Sequence, residues 1–204
     1  MSFRGLPPPL QRLMQDRRVF HYTRPLMYWG SLSRFRAALA LRPGERLLDV
    51  GCGTGICAEI ARGPYLGIDT SLDSLSFART HVGGAAHAFA AMRADALGLR
   101  PRSFDKALIV NVAHHLDDAA LDGLLCAVRA VVTGTVVLVD LAPDVANPVE
   151  HLLIRYDHGE YMRPRAVLRP LVARRYAVEH EETFHNTLRI VPQVLFRLVP
   201  GGGG

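Results

Sequence analysis

The chain contains little lysine, cysteine and tryptophan, and it has no long apolar run. Of its 204 residues, 24 are basic, but Lys106 is the single lysine, and there are three cysteines and one tryptophan. Apolar stretches stay well short of the roughly 18 residues of a membrane-spanning helix. The first residues, MSFRGLPPPLQRLMQDRR, contain no apolar segment of signal-peptide length. These absences predict a cytoplasmic protein without a membrane span.

The few cysteines and the scattered charges argue against further kinds of protein, namely disulfide-bonded, metal-binding and nucleic-acid-binding ones. Cys52, Cys57 and Cys126 form no C-x-x-C pair and no metal-ligand grouping, so we expect neither disulfides nor a bound metal. The net charge is +5, but the arginines are spread without a long basic block, which makes a nucleic-acid partner unlikely. With 49% hydrophobic and 21% charged residues, the composition is that of an ordinary globular domain.

From residue 46 onward, short apolar runs alternate with helix-like stretches, a pattern typical of α/β proteins. We predict five parallel strands at 46–50, 65–69, 86–93, 106–110 and 135–140, and helices at 56–62, 72–81, 117–131 and 164–174. Two further strands, 176–184 and 187–198, joined by a turn at His185-Asn186, should form an antiparallel pair at the sheet edge. Pro192 suggests an edge position or a bulge for the second of them. The predicted fold is a doubly wound, mostly parallel sheet of seven strands.

The N-terminal segment differs in composition from the rest of the chain. Residues 1–45 look helical and concentrate aromatic side chains, among them Phe20, Tyr22 and Trp29. We expect this segment to form a helical cap or lid, followed by a ligand-binding domain over 46–200. Glycines fill positions 201–204, which predicts a flexible tail.

The segment LLDVGCGTG at 47–55 is the most informative feature. It reads as a buried strand that breaks into a glycine-rich turn, and the following ICAEIA reads as the first turns of a helix. Glycine allows a sharp bend and close approach of a ligand to the backbone. The beginning of a helix adds unpaired N–H groups. This combination predicts a small, polar, nucleotide-like ligand.

The spacing of this turn separates two large enzyme classes. The dinucleotide-binding fingerprint is G-x-G-x-x-G. Here the spacing is G-x-G-x-G, preceded by Asp49, which resembles motif I of the class I S-adenosylmethionine (SAM)-dependent methyltransferases, D/E-x-G-x-G-x-G. The resemblance covers residues 46 to about 142 and implies SAM as cofactor. It places Gly51, Cys52, Gly53 and Gly55 against SAM, with Asp49 holding the amino group through water or fixing the turn.

The same resemblance assigns roles to polar residues that follow other strands, at the end of the sheet where such folds bind ligands. Asp69 is expected to accept hydrogen bonds from the SAM ribose hydroxyls, although Asp69, Thr70 or a neighbour could instead cap the next helix. Asp95 is expected to accept from the adenine amino group while the Ala96 backbone N–H meets a ring nitrogen; an ordinary solvated aspartate is the alternative. Asn111 is expected beside the methionine end of SAM.

Fewer residues are candidates for contact with the methyl acceptor. His114 and His115 follow the fourth strand and are expected closest to the transferred methyl group, where one of them could act as a base. His115 is slightly favoured, and the alternative is that both are structural. Tyr22 could line the site from the lid, and the alternative is that the aromatic residues of this segment simply cover the sheet edge. Residues 143–163 are expected to form an insertion that recognises the acceptor.

These observations predict an enzyme that transfers a methyl group from SAM to an oxygen, carbon or nitrogen of a small molecule. The Asp/Asn-Pro-Pro-aromatic motif, which marks methylation of nucleic-acid bases and glutamine, is absent after the fourth strand. Two alternatives stay open: a SAM-binding fold with non-methyl chemistry, such as cyclisation or decarboxylation, and a non-catalytic binding subunit. The oligomeric state is also left open.

Overall fold

The computed structural model describes residues 31–145, 159–185 and 192–201, which form a mixed seven-stranded sheet with helices on both faces. The strands are β1 Leu47–Val50, β2 Tyr65–Asp69, β3 His87–Ala91, β4 Lys106–Val110, β5 Val136–Leu141, β6 Tyr176–His185 and β7 Pro192–Pro200. The α-helices are α1 over 31–39, α2 Leu72–His81, α3 Asp118–Val131 and α4 Arg165–Ala173. Short 3-10 helices cover Ile56–Ile60, Ala113–His115 and Pro143–Val145.

The strand order is β3-β2-β1-β4-β5-β7-β6. Strands β1 to β5 pair in parallel, whereas β7 runs antiparallel to both β5 and β6. This confirms the predicted fold class. The chain moves outward from β1 to β3 and then returns to the other side of β1, so the switch point that opens a ligand crevice lies between β1 and β4.

The expectation for Pro192 was wrong in one respect. Strand β7 lies inside the sheet between β5 and β6, and β6 forms the edge. Pro192 is tolerated because it is the first residue of β7, where the missing N–H interrupts the ladder least. The irregularity in this pair falls instead in β6, between Val178 and His180.

The predicted helix at 56–62 is present in a shorter form. Residues Ile56–Ile60 form a five-residue 3-10 helix rather than an α-helix. Gly63 and Pro64 follow almost at once, and the residue before a proline is pushed toward an extended conformation. The remaining segment is too short for an α-helix, so the tighter turn forms.

Two apolar layers flank the sheet. Helix α3 buries Leu121, Leu124, Leu125 and Val128, spaced three and four residues apart, against one face together with α4. The other face packs against α1, α2 and the 3-10 helix after β1. The layers meet at a central sheet whose strands β1, β4 and β5 are fully buried, as expected for a parallel sheet covered on both sides.

The chain's single lysine holds the end of α1 against the sheet. Lys106, at the start of β4, donates to the carbonyls of Leu39 at 2.8 Å and Ala40 at 2.6 Å, and it pairs with Glu45 at 3.0 Å. A cation at this position satisfies carbonyls that a helix leaves open at its C-terminus. Lys106 thus anchors the C-terminal end of α1 at the amino end of β4.

Several predictions fall outside the described residues. These are Tyr22 and the rest of residues 1–30, positions 146–158 of the expected insertion, the turn residue Asn186, positions 187–191 of the predicted last strand, and residues 202–204. The division at residue 45 stays a prediction, although α1 already contributes the fully buried Phe35 and Leu39 to the core. Within the described ranges, no helix is long and apolar enough to cross a membrane.

Candidate functional site

The glycine turn after β1 has a backbone that only glycine adopts easily. Gly51 and Gly55 have φ angles of +73° and +79°. Space is also restricted, because a Cβ on Gly51 would lie 2.4 Å from a methyl group of Val112, and one on Gly55 would lie 2.9 Å from the Phe89 ring. The turn therefore packs closely against strand β3 and against the segment that follows β4.

Asp69, at the end of β2, is tied directly to this turn. Its Oδ2 accepts a 2.8 Å hydrogen bond from the Gly53 N–H, and its Oδ1 accepts one of 2.8 Å from the Ser71 N–H. Each carboxylate oxygen has a second lone pair, so the group can also accept from a ligand. Ser71, rather than Asp69 or the exposed Thr70, caps α2 by accepting from Ser74 N–H at 3.2 Å. Asp69 is thus held at the mouth of the turn.

Asp49 is directed into the protein. Its carboxylate is buried and accepts a 2.6 Å hydrogen bond from the Tyr65 hydroxyl at the start of β2. Burial, and then the negative charge of Asp49, raise the pKa of Tyr65 well above its ordinary value, so the phenol stays a donor. The bond ties β1 to the start of β2, and the two roles expected for Asp49 stay predictions.

Cys52 also faces inward. Its sulfur lies over Gly67, where a Cβ would approach it to 2.8 Å. Burial and the nearby Asp49 raise the pKa of the Cys52 thiol far above its ordinary value. The side chain therefore stays neutral and packs in the core, and only the backbone of Cys52 faces the turn.

The predicted adenine contacts lie in the loop after β3. Both Asp95 oxygens accept from Arg93, at 2.9 and 2.6 Å, and this side-chain pairing lowers the pKa of Asp95. Ala96 is exposed, and its N–H points to the Arg93 carbonyl at 3.3 Å. Asp95 is therefore an ionised acceptor, already oriented by a neighbouring cation.

The two histidines after β4 occupy different environments. His114 is 3% exposed, and its Nδ1 lies 2.5 Å from Oδ1 of Asp140, the fifth residue of β5. Asp140 Oδ2 also accepts the His114 backbone N–H at 3.0 Å. His115 is exposed, with its ring 4.1 Å from that of His114. His114, rather than the slightly favoured His115, thus has the buried carboxylate partner that orients a histidine base.

A segment before α4 covers the His114 ring. A Cβ on Gly159 would lie 2.3 Å from Cδ2 of His114, and the Tyr161 N–H donates to the His114 carbonyl at 3.0 Å. Arg163 fixes this segment by donating to the carbonyls of Ala113 and Leu116, at 2.9 and 2.7 Å, and by pairing with Asp118. The guanidinium therefore holds the loop after β4 in place.

A second polar pair joins β4 to the C-terminal strands. Asn111 follows β4 with a φ of +55°, and its Oδ1 accepts a 3.0 Å hydrogen bond from Nε2 of Gln193. Gln193 pairs with Leu141, the last residue of β5, so it lies at the same end of the sheet as the glycine turn. Two side-chain pairs thus lie at the carboxyl ends of β4 and β5, namely His114–Asp140 and Asn111–Gln193.

Comparisons with known proteins agree with this geometry. A family model described as a methyltransferase domain matches residues 47–135. The ubiquinone biosynthesis O-methyltransferase of Sinorhizobium medicae is 32% identical, over 81% of this chain and 72% of the relative. The enzyme of the same name from Agrobacterium fabrum is 31% identical, over 72% and 65%.

The chain belongs to the class I SAM-dependent methyltransferases.

Solved structures show the same fold at lower identity. Magnesium protoporphyrin IX methyltransferase from Synechocystis PCC 6803, solved with bound S-adenosylhomocysteine (SAH), superposes with a TM-score of 0.71 and 14% identity, over 95% of this chain and 98% of that one. The [4+2]-cyclase SpnF superposes with a TM-score of 0.67 and 16% identity, over 85% and 81%. The fold alone therefore does not determine the reaction.

The methyl donor of this methyltransferase is SAM. The residues present fit such a group, because SAM combines a diol that donates, an adenine amino group that donates and a cationic methionine end. The crevice offers matching acceptors: Asp69 at the turn, ionised Asp95 beyond β3, and a buried Thr54 oxygen within the turn that has no hydrogen-bond partner among the described residues.

Three residues that bond to predicted site residues were not predicted from the sequence: Asp140, Tyr65 and Gln193. Asp140 stands alone as an acid in the apolar run of β5, so the rule that pointed to Asp69 and Asp95, a polar residue at the end of a parallel strand, could have found it. Tyr65 begins a strand, and Gln193 lies in an antiparallel one. Nothing local in the sequence marks either of them.

Proposed function

We propose that this chain transfers the methyl group of SAM to a hydroxyl oxygen of a small-molecule acceptor, with His114 as the base. The observation that carries the proposal is the buried His114–Asp140 pair, 2.5 Å apart, at the carboxyl ends of β4 and β5 beside the glycine turn. The O-methyltransferase names of the relatives agree with an oxygen acceptor.

Around SAM, Asp69 binds the ribose and Asp95 the adenine amino group. The backbone of Gly51, Gly53 and Gly55 lines the crevice, and Asn111 lies toward the methionine end. In this arrangement Asp49 acts indirectly, by holding the turn through its bond to Tyr65. Bound SAM supplies an electrophilic methyl group with a good leaving group, so the protein mainly has to align the reactants.

The histidine pair supplies the proton acceptor that a hydroxyl requires. When His114 donates its Nδ1–H to the Asp140 carboxylate, the lone pair of the neutral ring lies on Nε2. As the acceptor oxygen bonds to the methyl carbon, the carbon–sulfur bond breaks with its electrons going to sulfur, and the hydroxyl proton moves to Nε2. Asp140 stabilises the imidazolium that results. Since Gly159 and Tyr161 cover the ring, this segment has to move for an acceptor to reach it.

A labelled-methyl assay tests the proposal. The full chain is incubated with SAM carrying an isotopic methyl label and a panel consisting of phenol and the three dihydroxybenzenes, whose hydroxyls ionise more readily than those of aliphatic alcohols. We expect label in an aryl methyl ether, and His114→Gln should lower kcat by roughly 100-fold, the usual size of a general-base contribution. His115→Gln is the matched control and should stay within about threefold of wild type.

The pH profile separates catalysis from folding. In wild type, kcat should rise with pH, because only a neutral histidine accepts the hydroxyl proton, and this dependence should vanish in His114→Gln. Product without label would favour non-methyl chemistry, and equal losses in the two histidine variants would contradict the assignment of His114.

A further inference from the structure

Three buried side-chain oxygens lack a hydrogen-bond partner among the described residues: Ser31 Oγ, Thr54 Oγ1 and Gln193 Oε1. A buried acceptor without a partner costs about 1–3 kcal/mol, so each one requires an explanation. Two of them lie at the carboxyl ends of the strands, since Thr54 is in the glycine turn and Gln193 pairs with Leu141, the last residue of β5. This is the end of the sheet at which folds of this kind bind ligands.

Gln193 is the most informative of the three. Gln193 is 5% exposed, and its amide nitrogen Nε2 donates a 3.0 Å hydrogen bond to Oδ1 of Asn111. The two polar atoms of one amide are close together, so the unpaired oxygen lies beside the carboxyl end of β4. It is fixed there by the bond to Asn111 and by the pairing of β7 with β5.

The position of Gln193 assigns it to the acceptor rather than to SAM. Strand β7 lies three strands from β1, about 14 Å at a spacing of about 4.8 Å per strand. SAM occupies the turn after β1 and extends toward β2 and β3 through Asp69 and Asp95. The region over β4, β5 and β7 is therefore left for the acceptor, and the His114–Asp140 pair borders it.

An amide oxygen accepts hydrogen bonds but is too weakly basic to remove a proton. Its partner is therefore a donor that survives the reaction, which excludes the hydroxyl that becomes methylated. A second hydroxyl on the same acceptor has the required chemistry.

We infer that Gln193 is a specificity-determining residue whose Oε1 accepts a hydrogen bond from a non-reacting hydroxyl of the acceptor, so that the enzyme prefers acceptors with two hydroxyls. This inference rests on the proposed function. A site built to pair a substrate hydroxyl discriminates strongly against an analogue that lacks it, because the buried group is then left unpaired.

The experiment compares kcat/KM for phenol and for the three dihydroxybenzenes in wild type, Gln193→Met and Gln193→Glu. Methionine keeps the length of the side chain without a polar end, whereas glutamate keeps an acceptor oxygen at the same reach. We expect wild type to prefer at least one dihydroxybenzene over phenol by 10-fold or more. The ratio should fall to within about threefold in Gln193→Met and recover at least partly in Gln193→Glu, with the Kd for SAM unchanged within twofold in all three proteins.

The other outcomes contradict the inference in distinguishable ways. An unchanged ratio in Gln193→Met shows that Gln193 does not contact the acceptor. Equal losses on phenol and dihydroxybenzenes place it on the reacting hydroxyl, and a weakened Kd for SAM places it on the cofactor. If wild type transfers label to no member of the panel, the proposed function fails for phenolic acceptors, and the inference fails with it.

Discussion

At the scale of single residues, the cofactor side depends on carboxylates whose orientation is fixed before a ligand binds. Asp69 is held by two backbone N–H groups, one in the glycine turn and one in the cap of α2. Such pre-organisation reduces the entropy that binding would otherwise cost. Asp49, by contrast, belongs to the glycine motif itself, but its carboxylate is directed toward the Tyr65 hydroxyl in the core.

Asp69→Ala should weaken SAH binding about 10- to 100-fold, because it removes the ribose acceptor and also frees the Gly53 N–H that orders the turn. Titration calorimetry with SAH measures the Kd directly. Asp73→Ala, an exposed acid in the first turn of α2, is the matched control and should bind like wild type. Equal affinities in wild type and Asp69→Ala would show that the ribose is held elsewhere.

At the scale of elements, a charged pair joins the starts of two neighbouring central strands. Asp105 lies just before β4 and Arg46 just before β1. The Asp105 carboxylate accepts from the backbone N–H of Arg46 at 2.8 Å and from the Arg46 guanidinium at 3.0 and 3.1 Å. The side-chain hydrogen bonds of Arg46 lower the pKa of Asp105 below its ordinary value of 3.8. The pair therefore stabilises the fold only while the carboxylate is ionised.

Asp105→Asn should lower the free energy of unfolding by about 1 kcal/mol near pH 7, a modest value because both side chains are partly exposed. A folded pKa below the unfolded one gives stability that is complete above the unfolded value and is lost as pH falls through the folded value. The difference between wild type and variant should therefore shrink as pH falls from about 5 to below 3.8. Urea unfolding across this range measures it, with Asp73→Asn as control, and a difference that grows on acidification would contradict the assignment.

The elements themselves were largely predictable from the sequence, whereas the contacts between them were not. Strands such as Lys106–Val110 are apolar runs bounded by turn residues, and the structure has them at the predicted positions. The five-residue helix after the turn was too short for its type to be read from periodicity. The interior place of β7 follows from how distant strands pair, which no local pattern encodes.

In the candidate site, too, single residues could be predicted from the sequence, whereas the contacts between them could not. Asp69, Asp95 and Asn111 could be predicted because each follows a strand, and their contacts with SAM stay predictions. The pairs that orient the site join residues 16, 26 and 82 positions apart, namely Tyr65–Asp49, His114–Asp140 and Gln193–Asn111. Such pairs are created by the fold and are invisible in the linear sequence.

At the scale of the whole molecule, the crevice lies where the two halves of the sheet meet. The glycine turn comes from β1, and its closest packing partners, Val112 and Phe89, come from opposite sides of it. A ligand that contacts the turn, the end of β2 and the end of β4 therefore connects elements from both halves. Binding should accordingly stabilise the fold as a unit.

SAH at 100 times its Kd should stabilise the folded chain by about 2.7 kcal/mol, since it binds the folded state and not the unfolded one. For a chain of this size, this corresponds to an increase in Tm of about 5–10 °C. NAD⁺ at the same concentration is the matched control, because its pyrophosphate requires the G-x-G-x-x-G spacing that this turn lacks. Scanning calorimetry of the full chain measures both shifts. An equal increase with NAD⁺ would show that the turn does not select the cofactor, and an SAH shift that persists undiminished in Asp69→Ala would place the cofactor away from the end of β2.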